Sequence, residues 1–319
     1  MKINVSNISE SISEARPNLK TNTISQYESN LNKLKKIFET DTWEFLSDPD
    51  KVKEKISHLH FTSQRNHYNA IIVLLMALNA SKKYDKLIAE YGEIRDELND
   101  KYIEQQKSGV ISEKQAPNLA TKAEIDLMIK TIADQLKKVD LKELPLSKKD
   151  FALFQLYVLV NLYSKMPLRN DFAEMESIKK ANYNKLSKDD RKDKNWLLIE
   201  KNKLSFILNN YKSAGTYGEK IIPIEDASLK KILRSFIKVN GHGVLFKSST
   251  GKALTRNALS QFLLKFTKKY MDKSVSSTMF RKAYLSDKYA SMKEEIKNDA
   301  FVMGHSPAVA MSTYVKTAE

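Results

Sequence analysis

The sequence contains no cysteine, which excludes disulfides, thiolate zinc sites and a cysteine nucleophile together. Histidine is nearly as scarce, the five being His58, His60, His67, His242 and His305. Only His58 and His60 are close neighbours, and two positions apart they do not share a helical face, so no metal site is expected. No G-x-x-x-x-G-K-[ST] run occurs, and nothing suggests nucleotide hydrolysis or a nucleotide cofactor. The longest apolar run, Ala70 to Leu78, is well short of the roughly 20 residues that a membrane span needs. The opening MKINVSNISES has no signal-peptide core. Together these absences predict a soluble, intracellular chain with no cofactor and no membrane partner.

What the sequence does have is positive charge. Its 54 Lys and Arg against 39 Asp and Glu leave a formal charge of +15. A surplus of that size argues for a polyanionic partner, with nucleic acid ahead of an anionic membrane surface. Its 319 residues suffice for two domains, each with its own core.

Residues 1–17 are polar and read as a flexible arm. From residue 18 the pattern becomes helical: Ile24, Tyr27, Leu31, Leu34 and Phe38 recur at three and four, with Thr21 or Thr23 as a cap. A shorter helix is expected over 51–59, after the Ser-Asp-Pro-Asp turn. FTSQRNHYNAIIVLLMALN follows, polar at its start and apolar at its end, as suits a helix entering a core. Over Ser81–Ser108 the residues Tyr84, Tyr91 and Leu98 recur every seven on a charged helix. That helix either folds back on its own domain or offers the stripe to a second protomer. Residues 109–120 are polar, contain Pro117 and read as a linker. Beyond it Thr121 and Glu124 have capping-box spacing. WLLIE, LSFIL and IIPI read as strands among helices. The expected fold class is mainly α with a small antiparallel β-sheet, arranged as a helical domain over 18–108 and a mixed α+β domain over 121–319.

The stretch from Ser276 to Tyr314 carries the densest signal. Ser276 or Ser277 can cap a helix on which Thr278 and Arg281 share a face. A second short helix is expected to run into Gly304, a C-terminal stop. His305 follows in the turn, Ser306 can cap the next helix, and Pro307 suits its first position. Tyr314 comes nine positions after His305. Each residue alone is ordinarily a solvated charge, a packed ring or a surface anchor.

The conjunction of Arg281, Gly304-His305-Ser306 and Tyr314 resembles the C-terminal signature of the tyrosine recombinase or phage-integrase family. The resemblance implies an upstream arginine, matched by Arg169 after Met166-Pro167, and a β-turn lysine, matched by Lys212 between the second and third strands. It covers nearly all of 118–319 and implies a two-domain architecture, a helical core-binding domain followed by a catalytic domain. In TNTISQYESNLNKL and TSQRNHYNAIIVLL the chain also resembles core-binding helices of that family, which implies DNA contacts from Thr62, Gln64, Arg65 and His67. Two positions depart from the pattern. Thr278 stands where His or Lys is usual, and Thr is neither a cationic donor nor an imidazole base. Pro167 stands where Gly is usual, which only stiffens a turn.

The resemblance implies a chemistry. A phosphodiester is an anion that resists nucleophiles, so Arg169 and Arg281 would present planar forks to the non-bridging oxygens and His305 would add a donor. Tyr314 would be the nucleophile and Lys212 the general acid toward the 5′ oxygen. The product would be a 3′-phosphotyrosine bond, formed without ATP or metal. A site-specific recombinase or integrase acting on double-stranded DNA as a homo-tetramer is the reading favoured. A type IB-like topoisomerase and a catalytically degenerate DNA-binding protein of the same fold remain as alternatives. Lys- and Asn-rich usage is compatible with a viral or mobile element. Only Val315 to Glu319 follow Tyr314, too few for a stable exchanged helix, so the stripe of Tyr84, Tyr91 and Leu98 is the expected protomer contact.

Overall fold

A computed structural model describes residues 3, 5, 7–110, 113 and 115–315. The chain divides into two compact units, Met1–Ile111 and Ser112–Glu319. Parts of the expected arm and linker, and residues 316–319 beyond Tyr314, lie outside the described residues.

The first unit is helical: α1 (Ile8–Ala15), α2 (Thr21–Ile37), α3 (Pro49–Ile56), α4 (Phe61–Ala77) and α5 (Asp85–Ser108). Part of the expected flexible arm, Ile8–Ala15, is α1. Asn7 caps it by accepting the Glu10 N–H, and Ile8 and Ile12 are buried against the other helices. A pattern of two isoleucines four apart was too short to stand out from its polar surroundings. Neither Thr21 nor Thr23 caps α2, which starts after Lys20 with no side-chain cap. Helix α4 is the centre of this unit: its second half is buried nearly all round, and α1, α2 and α5 pack on it.

Helix α5 folds back on its own unit. Tyr91 is wholly buried, its hydroxyl donates to the Leu46 carbonyl at 3.0 Å, and its ring lies 6.0 Å from that of Tyr68. Tyr84 and Leu98 are buried in the same core. The seven-residue stripe is therefore interior packing, and the expected protomer contact is not available on this helix.

The second unit opens with α6 (Lys122–Leu136) and α7 (Lys148–Lys165), which pack together. Thr121 and Glu124 form a reciprocal capping box at the start of α6. Five strands follow: β1 (Glu176–Lys179), β2 (Trp196–Ile199), β3 (Leu204–Leu208), β4 (Lys220–Pro223) and β5 (Gly243–Val244), in the spatial order β4-β3-β2-β1-β5. The sheet is mixed, since β1 and β2 run parallel while the other pairs are antiparallel. This corrects the purely antiparallel expectation. Between β1 and β2 lie the short helices α8 (Lys180–Tyr183) and α9 (Lys188–Lys192), a connection long enough for the crossover that parallel pairing requires. Strand β1 carries no apolar run, three of its four residues being polar, and β5, only two residues long, enters the short Val244-Leu245-Phe246 segment.

Between β3 and β4 lies α10 (Ala214–Tyr217), and α11 (Ala227–Asn240), α12 (Arg256–Met271), α13 (Ser277–Val302) and α14 (Pro307–Val309) complete the unit, with Ala310–Tyr314 continuing as a π-helical turn. The two helices expected between Ser276 and Gly304 are one. No glycine or proline interrupts Ser277–Val302, so nothing in the sequence forces a break. The start of α13 packs on α7, where Phe280 stacks on Tyr163. From Leu285 to Asp299 every residue but Ile296 is exposed. None of the described helices is long and apolar enough to cross a membrane.

Truncating Tyr91 tests the reassignment of its stripe. Tyr91→Ala is expected to destabilise the first unit by about 3–5 kcal/mol, as for other buried aromatics. The chain has two tryptophans, Trp43 and Trp196, one in each unit. Urea unfolding followed by Trp43 fluorescence in a Trp196→Phe background reads the effect, and a loss below about 1 kcal/mol would remove the ring from the core.

Candidate active site

Arg169 is placed by the end of α7. That helix stops at Met166, before Pro167, and Arg169 immediately precedes a 3-10 turn, Asn170–Phe172. Tyr163, wholly buried on α7, directs its hydroxyl at the Arg169 carbonyl (3.3 Å) and at Asn170 Oδ1 (3.2 Å). Its ring packs edge-on to Phe172 and stacks on Phe280, the residue before Arg281. Burial, with Asp171 nearby, pushes the Tyr163 phenol pKa up, so this hydroxyl stays a donor. One buried side chain thus fixes the backbone at both arginines.

The charges of both guanidinium groups are felt at Asp171. Its carboxylate is buried, and burial pushes its pKa up, while Arg256, Arg169 and Arg281 act against that shift through their charge. Arg256 Nη2 lies 3.8 Å from Asp171 Oδ1 and donates to the Asn210 carbonyl at 2.8 Å. Nearby, Asn195 uses its whole amide. Its Nδ2 donates to the Asp171 carbonyl (3.0 Å) and the Asn210 carbonyl (2.9 Å), and its Oδ1 accepts the N–H groups of Asn209 (2.9 Å) and Asn210 (2.8 Å). The end of β3 is thereby tied to the Arg169 turn. Lys212 stands two residues past Asn210, exposed, in a turn closed by the Tyr211 hydroxyl donating to the Gly218 carbonyl at 2.8 Å. Gly218 has a φ of 66°, a conformation that favours glycine.

Asp171, Asn195, Asn210 and Arg256 were not singled out in the sequence. Asp171 lies two residues from Arg169, but a lone Asp in a turn is commonplace. Arg256 is one basic residue among 54, and only its fold-distant partners set it apart.

Thr278 is exposed in the first turn of α13, one helical turn before Arg281. At the other end, α13 closes with a Schellman arrangement. Gly304, with φ of 73°, donates to the Phe301 carbonyl (3.1 Å), and His305 N–H donates to the Ala300 carbonyl (3.0 Å). Ser306 caps the next turn by accepting the Val309 N–H, with Pro307 in first position. The His305 ring stacks on Tyr314 with centroids 5.0 Å apart and planes 12° from parallel. Tyr314 is 63% exposed.

The helix between these groups sets their separation. From Arg281 to Val302 is about 20 residues, which at 1.5 Å per residue is roughly 30 Å. The structure therefore gathers Arg169, Arg281 and the root of Lys212 at one end of α13 and pairs His305 with Tyr314 at the other. The expectation that all five form one site within a chain is not met in this conformation.

In the first unit the expected DNA-facing residues are engaged internally. His67 is 5% exposed, its Nδ1 lies 3.1 Å from the Asn30 carbonyl on α2, and it cannot face DNA. Arg65 bonds Asn99 Oδ1 at 3.2 Å and lies over the Tyr102 ring of α5 at 4.0 Å. Gln64 donates to the Ser57 and Leu59 carbonyls just after α3. Thr62 Oγ1 pairs with His60 Nδ1 at 2.9 Å. The polar start of α4 holds its own unit together.

Comparison of the chain with protein-family models, curated proteins and solved structures finds no match.

Burial chiefly, and then Lys33, lower the His67 pKa from its ordinary 6.5, against the opposing effect of the Asn30 hydrogen bond. A base with a lowered folded pKa contributes stability that is full above its unfolded pKa and lost as pH falls through the folded value. The first unit is expected to weaken as pH drops below 6.5, with His67→Gln flattening that slope. Urea midpoints measured at pH values on both sides of 6.5 check this, and equal slopes for the two proteins would refute it.

Proposed function

We propose that this protein cleaves and rejoins double-stranded DNA through a 3′-phosphotyrosine intermediate, as a site-specific recombinase or integrase. The observation that carries the reading is the gathering of Arg169, Arg281 and Arg256 around the Asp171 carboxylate. Guanidinium groups held near one another beside a buried carboxylate, with Arg169 and Arg256 open to solvent, are poised to take the oxygens of a phosphodiester. The net charge of +15 supplies the long-range attraction for such a polyanion.

The chemistry assigns each side chain a role. The Tyr314 oxygen attacks phosphorus and forms the Oη–P bond, its proton passing to water. The P–O5′ bond breaks, and the departing 5′ oxygen takes a proton from Lys212. Arg169 and Arg281 stabilise the additional negative charge of the pentacovalent transition state, with His305 as a further donor. Atoms and charges balance without a nucleotide, and the bond energy is conserved for resealing by a 5′-hydroxyl.

Tyr314→Phe is expected to abolish covalent attachment to nicked duplexes drawn from DNA flanking the gene, while binding persists and attachment by the unaltered protein survives EDTA. Adducts are read as protein–DNA bands resistant to denaturant. Mapping of the adduct to Tyr211, Tyr284 or Tyr289 would overturn the assignment. Retained binding with no adduct in the unaltered protein would favour a DNA-binding protein without catalysis.

The Thr278 hydroxyl can donate a hydrogen bond but is neither a useful acid nor a useful base near neutral pH. Thr278→His is expected to speed cleavage, on the order of the 10² or more that general acid–base help provides. A slower single-turnover rate in this variant would mean that the pocket is built around Thr278.

A further inference from the structure

On the reading just proposed, the cations and the nucleophile lie at opposite ends of α13. We infer that Tyr314 of one copy is delivered to the arginine group of a second copy, so that the site is completed between two chains.

Three observations converge. The first is distance: a continuous helix separates Arg281 from Val302 by roughly 30 Å, and Tyr314 stacks on His305 just past that far end, out of reach of the Arg281 side chain. The described residues 300–315 form a small knob with Ala300 and Ala310 buried, and Phe301 and Val302 are more than four-fifths exposed. The second is shape: Leu285, Tyr289, Met292 and Ile296 recur at four, three and four, which sets them along one face of α13. Apart from Ile296, which is half-buried, these residues are exposed. A stripe with that spacing suits packing against another helix or a groove.

The third is charge. Between Leu285 and Val302 there are three lysines (Lys288, Lys293, Lys297) and four acids (Asp287, Glu294, Glu295, Asp299), so 3 − 4 gives −1. The whole chain carries +15. A faintly acidic, apolar-striped helix is poorly suited to a DNA backbone and well suited to a basic protein surface. A second copy of this chain is such a surface, and it carries the cations that Tyr314 lacks. The bond made is Tyr314 Oη–P from one copy, and the P–O5′ bond broken lies at Arg169, Arg281 and Lys212 of the other. The proton balance is unchanged.

Complementation between two inactive proteins tests this. Arg169→Ala keeps the nucleophile and loses a cation, and Tyr314→Phe keeps the cations and loses the nucleophile. Both residues are exposed, so neither change disturbs a core. Each variant alone is expected to lose the adduct on nicked duplexes from DNA flanking the gene. The mixture is expected to recover it, on the Arg169→Ala polypeptide, which a size tag identifies. Tyr289→Glu with Met292→Glu in the Arg169→Ala chain is expected to abolish that recovery while DNA binding remains. If the unaltered protein forms adducts and the mixture forms none, the nucleophile and cations act within one chain and the inference falls while the proposed function stands. Recovery that ignores the Tyr289 and Met292 changes would overturn the role of the stripe. If the unaltered protein forms no adduct, the proposed function falls, and this inference with it.

Discussion

The second unit depends on a small polar knot made where water is largely excluded. Asn195 spends both hydrogens and its oxygen on the backbone of two distant segments, the Arg169 turn and the end of β3. Buried amides left unpaired cost about 1–3 kcal/mol each, so the knot tolerates little displacement. Arg256 closes it from α12, joining Asn210 to Asp171. Three elements far apart in sequence are thus held in register without a covalent link, in a chain that has no cysteine to supply one.

Asp171 has a second part in this. Three arginines brought near one another repel, and a carboxylate among them offsets that repulsion when nothing else is bound. Its burial and their charges pull its proton affinity in opposite directions. On the proposed function, these cations would be organised before any anion arrives, which is the condition under which electrostatic stabilisation is most effective. Tyr163 extends the same economy to the backbone, since one ring and one hydroxyl steady both arginine segments.

Short-range chemistry was well legible in the sequence. The Thr121–Glu124 capping box, the Gly304 stop, the Ser306 cap with Pro307, and the strands β2, β3 and β4 follow from residues within a few positions of one another. Legibility failed where partners are distant. The spacing of Tyr84, Tyr91 and Leu98 is the same whether the stripe meets another protomer or α4, and only the packed structure separates the two. His67 sits on the polar half of α4 by sequence yet turns inward to Asn30. The gathering of Arg169 and Arg281 becomes visible only through Asp171 and Arg256, residues that no local pattern marks. The continuity of α13 rests on the absence of glycine and proline from 277–302, which no positive local pattern marks.

That continuity bears on safety as much as on assembly. An enzyme that stores strand-cutting power in one compact site can nick whatever DNA it rests on. On the proposed function, α13 would act as a spacer that keeps the attacking oxygen away from the cations of its own chain. A solitary molecule on a chance sequence would then be chemically silent, with breakage awaiting an encounter between two occupied sites. The length of a single helix would thereby make strand cutting a coincidence detector.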